Sequence, residues 1–150
     1  IKTVLGDMAD LGMFPDSSFD IVFHPVSNCF APEVLPVWRE SQRVLRKGGR
    51  LLAGFNNPDF YIFDGPAQWK GDFRVKYKLP FDARKLSPED QVHEFDGGKS
   101  PIEFSHTLDE LIGGQISAGF SITGFFSDSG ESSPLGSFMP LYYATMAVKL

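Results

Sequence analysis

The stretch "GDMADLGMFPDSSFDIVF" (residues 6–23) contains the pattern that decides the fold. A Gly-Asp pair follows an apolar, β-branched run at residues 1–5, a turn signal stands at residues 15–18, and a second apolar run fills residues 19–23. Runs of this kind, bounded by glycine, proline, aspartate and serine, are typical of strands. The second run is apolar at successive positions, which indicates a strand covered on both faces. We therefore predict strands at residues 1–5 and 19–23.

Downstream of this stretch, the sequence predicts a helix over residues 32–47. Its inward positions recur at spacings of three and four residues: Val34, Val37, Trp38, Ser41, Val44 and Leu45. Arg46 and Lys47 in the last turn, with Gly48 behind them, are typical of a helix C-terminus. Residues 51–55 form a third apolar run. Strand, helix and strand in this order predict a right-handed, parallel βαβ unit.

Residues 58–105 do not continue the strand-helix-strand pattern of the preceding residues. We interpret them as an inserted segment that caps one end of the sheet. Apolar and charged side chains alternate at residues 73–79, which predicts a half-buried strand. Ile102 and Phe104 are expected on a partner strand, so that the insertion contains a β-hairpin. Aromatic residues crowd its first part: Phe60, Tyr61, Phe63 and Trp69. They either pack as core or wall a pocket for an apolar or cationic substrate.

Behind the insertion, Thr107 and Glu110 form a capping box, which predicts a helix that runs to about residue 118. Gly113 and Gly114 lie inside this helix, where each glycine costs about 1 kcal/mol relative to alanine. We therefore expect a close approach of another element at these glycines, or a bend in the helix.

The whole chain of 150 residues suits a single domain with one core. Strands expected at residues 120–126 and 141–148 complete an α/β fold with a mixed sheet. The net charge is −5 and the sequence shows no basic patch, so we do not expect nucleic-acid binding.

The cysteine and apolar content narrows the class further. Cys29 is the only cysteine, and it makes no metal-ligand spacing with the three histidines, so neither an intramolecular disulfide nor a metal site is expected. A lone cysteine fits a reducing cytosol, which predicts a cytoplasmic protein. No apolar run reaches the roughly 18 residues of a membrane span, so no membrane association is expected.

Three segments together resemble one family, the class I S-adenosylmethionine-dependent methyltransferases of the small-molecule type. They are residues 6–23, "VWRESQRVLRKGGRLLAGFNNP" at residues 37–58, and "EFSHTLDELIGGQISAGFSITGFF" at residues 103–126. The resemblance implies a Rossmann-like, three-layer αβα fold with the strand order 3-2-1-4-5-7-6. It also implies S-adenosylmethionine as cofactor and a small molecule as methyl acceptor.

Against this family pattern, the chain is expected to begin at the third strand, without the Gly-rich segment that holds the methionine part of the cofactor. It would then be a C-terminal portion of the domain, inactive by itself. Strand edges that lose their neighbours invite pairing with another chain. We therefore expect strand 1–5 to be displaced, or strand 19–23 to pair in a homodimer or with a strand-swapped partner.

The resemblance also implies site residues at the carboxyl ends of two strands. The candidates for cofactor binding are Gly6, Asp7, Met8, His24, Pro25 and Val26. Asp7 would accept a hydrogen bond from the adenine amino group, and the backbone N–H of Met8 would meet a ring nitrogen. In the alternative, purely structural interpretation, Asp7 is an ordinary turn residue.

Candidates for catalysis are His24 as a base, and Glu103 with His106 for a proton or a cationic substrate. Each also has a purely structural interpretation: His24 as a loop histidine, Glu103 as an outward-facing strand residue, and His106 as the residue before the helix N-cap. His93 lies in a charged loop and is expected to be solvated.

Three functions remain open on this reading. The first is methyl transfer to a small molecule, and the second is a non-enzymatic methyltransferase-like module that pairs with another chain. A dinucleotide-dependent oxidoreductase is disfavoured because the G-x-G-x-x-G fingerprint is absent from the sequence.

Overall fold

A computed structural model describes residues 2–131 and 133–150. Four strands form one mixed sheet: β1 (Phe19–Pro25), β2 (Leu45–Asn56), β3 (Phe120–Asp128) and β4 (Tyr142–Lys149). Their order is β1-β2-β4-β3, with β1 parallel to β2 and with β4 antiparallel to both of its neighbours. This is the order 4-5-7-6 of the expected topology, so the predicted mixed α/β sheet is confirmed.

Helix α1 (Leu35–Val44) is the crossover that joins β1 to β2. It is shorter than predicted, because the chain turns extended at Leu45, whose side chain is fully buried in the core. Arg46 and Lys47 therefore lie in β2 and not in a last helical turn. Gly48 has a φ of 77° inside a register shift between β1 and β2, which only glycine adopts without cost.

The insertion is built from short helical turns, among them α2 (Gly65–Gln68) and α3 (Pro88–Glu94). The predicted hairpin is wrong: residues 73–79 form no strand, and two isolated bridges, Phe63 to Val75 and Asp82 to Phe104, are the pairing in this part of the described chain. Tyr77 turns inward to pack on Phe81, whereas Lys76 pairs with Asp90 and Val75 is exposed.

The last helical segment begins with π-helical residues Asp109–Gly113 and continues as α4 (Gly114–Ser117). The capping box is confirmed: the Thr107 backbone N–H donates to Glu110 Oε2 at 2.9 Å, and the Glu110 N–H donates to Thr107 Oγ1 at 3.2 Å. The expected close approach is confirmed at Gly114, where a Cβ would lie 2.6 Å from Leu35 Cδ2 and 2.9 Å from Trp38 Cδ1, whereas a Cβ on Gly113 would meet nothing within 4 Å.

Helices α1 and α4 cover one face of the sheet and enclose the main core: Val34, Val37, Trp38, Leu45, Leu51, Ala53, Phe55, Leu111 and Phe120. The opposite face carries an apolar groove of about 490 Å³, where Phe23 and Phe126 are 67% and 65% exposed. The third layer of the predicted αβα arrangement stays a prediction. The longest described helix has ten residues, and no helix in the described ranges could cross a membrane.

The N-terminal strand is not formed as predicted. Ile1 lies outside the described residues, and residues 2–5 have no strand pairing and are exposed. A strand without a neighbour cannot satisfy its backbone hydrogen bonds within a sheet. This agrees with the displaced arrangement that we expected. Pairing of the β1 edge with another chain stays a prediction.

Candidate functional site

A cleft of about 750 Å³ lies between the carboxyl edge of the sheet and the insertion. Val26 follows β1 and Asn56 ends β2, and both line it. Because β1 and β2 are parallel, their carboxyl ends meet at one edge, which is where ligands bind in open α/β sheets. All four aromatic residues singled out in the sequence line this cleft: Phe60, Tyr61, Phe63 and Trp69.

The mouth of the cleft contains a strained residue. Val26 has a φ of 52°, which is rare for a β-branched side chain. Its N–H is shared between the carbonyls of His24 at 3.1 Å and Gly54 at 3.2 Å. A Cβ on Gly54 would lie 3.2 Å from Val26 Cγ2, so glycine leaves room for the turn. Backbone strain of this kind collects at functional sites.

A hydrogen-bonded chain crosses the wall of the cleft from the sheet to the insertion. Asn56 Nδ2 donates to Tyr61 Oη at 2.7 Å, and the Tyr61 hydroxyl donates to Glu103 Oε2 at 2.7 Å. Burial, with help from the charge of Glu103, raises the pKa of Tyr61 well above its usual value. Tyr61 is therefore a neutral donor that holds the Glu103 carboxylate in the cleft, the place that the sequence predicted for a functional Glu103.

Cys29 lies beside this network and is buried. Its thiol donates to the carbonyl of Val26 at 3.5 Å. Burial, followed by the negative charge of Glu103, raises the pKa of Cys29 to about 12. Near neutral pH this group is a thiol and not a thiolate, so it does not serve as a nucleophile.

Gln68 is a cleft residue that the sequence analysis missed. Its side chain is 2% exposed, and its Oε1 atom has no hydrogen-bond partner within residues 2–131 and 133–150. A buried acceptor without a partner is costly, so such groups call for an explanation in function. A single glutamine behind an aromatic segment has no sequence signal that could have identified it.

The two histidines proposed for catalysis lie elsewhere. His24 is buried under α1, with Nδ1 3.1 Å from Ser27 Oγ and Nε2 3.4 Å from Ser41 Oγ. Burial lowers the pKa of His24 below its usual value. His106 Nε2 lies 3.2 Å from the carbonyl of Asn28 and faces a second, smaller cavity. The structure therefore does not bring His106 together with Glu103 in the large cleft.

The Gly-Asp turn is ordered by local bonds. Asp7 Oδ1 accepts from the Ala9 N–H at 2.8 Å, and the Asp7 carbonyl accepts from the Asp10 N–H at 3.1 Å. Met8 is half-buried against the core, and Gly6 and Asp7 are exposed.

The loop that follows this turn is fixed to α1. Arg43 donates to the carbonyls of Leu11 and Phe14, each at 3.0 Å, and Glu40 Oε2 accepts from the Leu11 N–H at 2.7 Å. Glu40 and Arg43 thus hold the loop against α1. Pro25, at the end of β1, lines the apolar groove on the other face.

An acidic cluster in the insertion resembles a metal site but is compensated by a lysine. Ligand atoms of Asp64, His93 and Glu94 lie within 4.8 Å of one another. Lys76 Nζ lies 3.4 Å from both acids and 2.9 Å from Asp90, so an ammonium group supplies the positive charge. His93 is exposed, as expected, and its Nε2 lies 3.0 Å from the Asp64 carboxylate.

Known proteins are similar to this chain in sequence and in fold. A family model described as a methyltransferase domain matches residues 1–53. An uncharacterized methyltransferase of Bacillus subtilis, YbaJ, is 41% identical over all 150 residues of this chain, which span 58% of its length. The chain thus corresponds to somewhat more than half of that relative.

Solved structures agree with this at the level of the fold. A methyltransferase from Mesorhizobium loti superposes with a TM-score of 0.66 at 15% identity, over 96% of this chain and 67% of its own. One from Methanosarcina mazei superposes with a TM-score of 0.61 at 19% identity, over 97% and 65%. Both are described as dependent on S-adenosylmethionine. The resemblance of this chain to the class I S-adenosylmethionine-dependent methyltransferases, and the fold that it implied, are confirmed.

Proposed function

We propose that this chain forms the acceptor side, and part of the cofactor side, of a cytoplasmic methyltransferase that transfers a methyl group from S-adenosylmethionine to a small molecule. One observation carries the proposal: the 750 Å³ cleft opens at Val26, at the carboxyl end of β1, and continues beneath the insertion. Residues 58–105 are then the substrate-side cap. A cleft of this volume suits a small-molecule ligand.

We propose that Gly6, Asp7, Met8, His24, Pro25 and Val26 hold the cofactor; of these, Val26 lines the large cleft, and His24 and Pro25 precede it at the end of β1. Two observations fit a polar ligand there. Asn28 Nδ2, two residues beyond Val26, is a buried donor with no partner in the described part of the chain, and Val26 itself has a strained backbone. Asp7 Oδ1 closes the local turn, and we propose its carboxylate as the acceptor for the adenine amino group.

S-adenosylmethionine, when bound, would supply both the methyl group and its own leaving group. The work left to this chain is therefore alignment of the acceptor and exclusion of water. The aromatic side chains that line the cleft, which we call the aromatic wall, would exclude water. Glu103, held by Tyr61, would orient the acceptor or take its proton. His24 is not needed as a base in this scheme, because both of its ring nitrogens face serine hydroxyls.

Cofactor binding can be tested by calorimetry with S-adenosylhomocysteine on the protein that carries this chain. Asp7 and Asp10 make equivalent turn bonds, to the N–H of Ala9 at 2.8 Å and of Gly12 at 3.0 Å. We expect Asp7→Ala to weaken binding about 10-fold or more, the value of a lost hydrogen bond to a charged group. Asp10→Ala is the matched control and should leave the affinity unchanged.

Two results would count against this proposal. Equal weakening by both variants would reduce Asp7 to a turn residue, and no binding of S-adenosylhomocysteine to the unsubstituted protein would remove the enzymatic function.

A second candidate function is a non-enzymatic module that pairs with another chain. The exposed apolar side chains at the β1 edge, such as Ile21 and Phe23, favour it. Light scattering across a concentration series would show a dimer that Ile21→Lys disrupts. A monomer that binds S-adenosylhomocysteine would leave the enzyme as the better description.

A further inference from the structure

We infer that the methyl acceptor is a nitrogen base, an amine or an imidazole, carried on an aromatic or apolar body. This inference rests on the proposed function, because it assigns the substrate of the same cleft. It follows from three properties of the cleft: its uncommitted polar atoms, its charge and its aromatic wall.

The uncommitted polar atoms are acceptors. Glu103 Oε2 is bonded to Tyr61, whereas no partner for Glu103 Oε1 is found among the described residues. Gln68 Oε1 is a buried acceptor that also lacks a partner there. A ligand that bonds to these oxygens must donate hydrogen bonds, as an N–H or an O–H group does.

The charges in the cleft point the same way. Three carboxylates line it, from Glu94, Asp96 and Glu103. Lys76 is paired with Asp64, Asp90 and Glu94 and so compensates Glu94, whereas Asp96 and Glu103 form no ion pair among the described residues. An anionic acceptor would meet repulsion here, and a basic one would meet attraction.

The aromatic wall suits the body of such a ligand. Tyr61 and Phe81 stack with ring centroids 5.4 Å apart, Phe60 meets Tyr61 edge-on at 5.5 Å, and Tyr77 meets Phe81 edge-on at 5.2 Å. Aromatic faces attract cations as well as apolar groups. Tyr61 belongs both to this wall and to the bond that holds Glu103, so apolar body and basic nitrogen are recognised side by side.

The chemistry balances with these groups. A base that binds in its protonated form would first lose that proton to water. The lone pair so freed on the nitrogen would form the new N–C bond, and the electron pair of the broken C–S bond would stay on the sulfur of the methyl donor. The nitrogen thereby gains a positive charge and releases its proton to the Glu103 carboxylate or to water. Glu103 is thus a binding group for the nitrogen and a proton acceptor after transfer.

The test compares ligands of one size and different charge on the protein that carries this chain. The probes are 2-phenylethylamine and 4-phenylimidazole as bases, and 3-phenylpropanoate as the acid, each titrated by calorimetry in the presence of S-adenosylhomocysteine. We expect at least one base to bind 10-fold or more tightly than the acid. Methyl transfer to that base, followed with labelled S-adenosylmethionine, should follow the same order.

Variants identify the groups responsible. Glu103→Gln should weaken binding of the base about 10-fold and leave the affinity for S-adenosylhomocysteine unchanged. Glu89→Gln, an exposed glutamate at the start of α3, is the matched control and should change neither. Gln68→Leu replaces the second acceptor by an apolar group of similar size and gives an independent reading if Glu103→Gln does not fold.

The outcomes separate the two proposals. Tighter binding of the acid, or bases that bind equally well to wild type, Glu103→Gln and Gln68→Leu, would overturn the assignment of a nitrogen base. If the unsubstituted protein does not bind S-adenosylhomocysteine, the proposed function, on which this inference rests, is overturned instead.

Discussion

The helix-covered face of the sheet and the insertion are stabilised in different ways. Under α1 and α4, the core is mainly apolar, buried polar side chains such as Gln115 and Thr145 bond to each other, and strand ladders satisfy the backbone. In the insertion, short turns are capped one by one by side chains: Asn57, Asp64, Asp82 and Ser87. The difference teaches that regular burial builds the frame, whereas locally capped turns leave aromatic and polar groups free to face a cleft.

The largest effect should come from a tryptophan in the core. Trp38 is fully buried, and its Nε1 donates to the carbonyl of Glu110 at 2.9 Å. We expect Trp38→Ala to lower the free energy of unfolding by about 3–5 kcal/mol, measured by denaturant titration. Trp69, in the insertion, is half-exposed, and Trp69→Ala should cost less than about 1 kcal/mol. Equal costs would remove the distinction between the two regions.

A smaller effect is expected where α4 meets α1. Gly114→Ala places a methyl group against Leu35 and Trp38, and we expect it to cost about 1–3 kcal/mol through overpacking. At the neighbouring Gly113, a Cβ meets nothing within 4 Å, so Gly113→Ala should stabilise the protein by up to about 1 kcal/mol. Thermal unfolding of the pair would show opposite shifts, and shifts of one sign would contradict the close approach.

The smallest effect concerns a charge in the insertion. Hydrogen bonds from the Arg84 side chain lower the pKa of Asp82 to about 2, below the ordinary value of 3.8. Its contribution to stability is therefore complete above pH 3.8 and is lost as the pH falls through about 2. We expect Asp82→Asn to cost about 1 kcal/mol at pH 7, because Arg84 is more than half exposed and solvent screens the pair.

Urea unfolding at pH 7 and pH 2 would check this prediction. The difference between Asp82→Asn and wild type should narrow at the lower pH, since the carboxyl group is then partly protonated. A difference that stays constant would mean that the side chain acts through shape and not through charge.

Elements with long-range burial were predictable from the sequence. The periodic apolar face of α1 and the apolar run of β2 are buried as predicted, and the capping box of Thr107 and Glu110 is a purely local signal. The prediction that β1 is covered on both faces is wrong, because Ile21 and Phe23 are exposed. Residues 2–5 and 73–79 show strand-like patterns, but a strand needs a neighbour, and the pattern does not say whether one is present.

The candidate site was predictable only in part, and its predicted members lie in the insertion. The aromatic segment and Glu103 were candidates because of their residue types and spacing, and the structure places them along the cleft, while their function stays a prediction. The sequence does not show which way a histidine side chain points. Tertiary packing places His24 under α1 and His106 beside Asn28. Gln68 stands out because its buried Oε1 atom lacks a hydrogen-bond partner, and only the three-dimensional structure shows this.

The pair formed by Val26 and Gly54 has an evolutionary consequence. A Cβ at position 54 would lie 3.2 Å from Val26 Cγ2, which is closer than an ordinary contact. A lineage that acquired alanine at 54 would have to shift the side chain at 26, which lines the cleft. The two positions are therefore expected to drift together, and an exchange at one without the other should mark relatives that have changed what they accept.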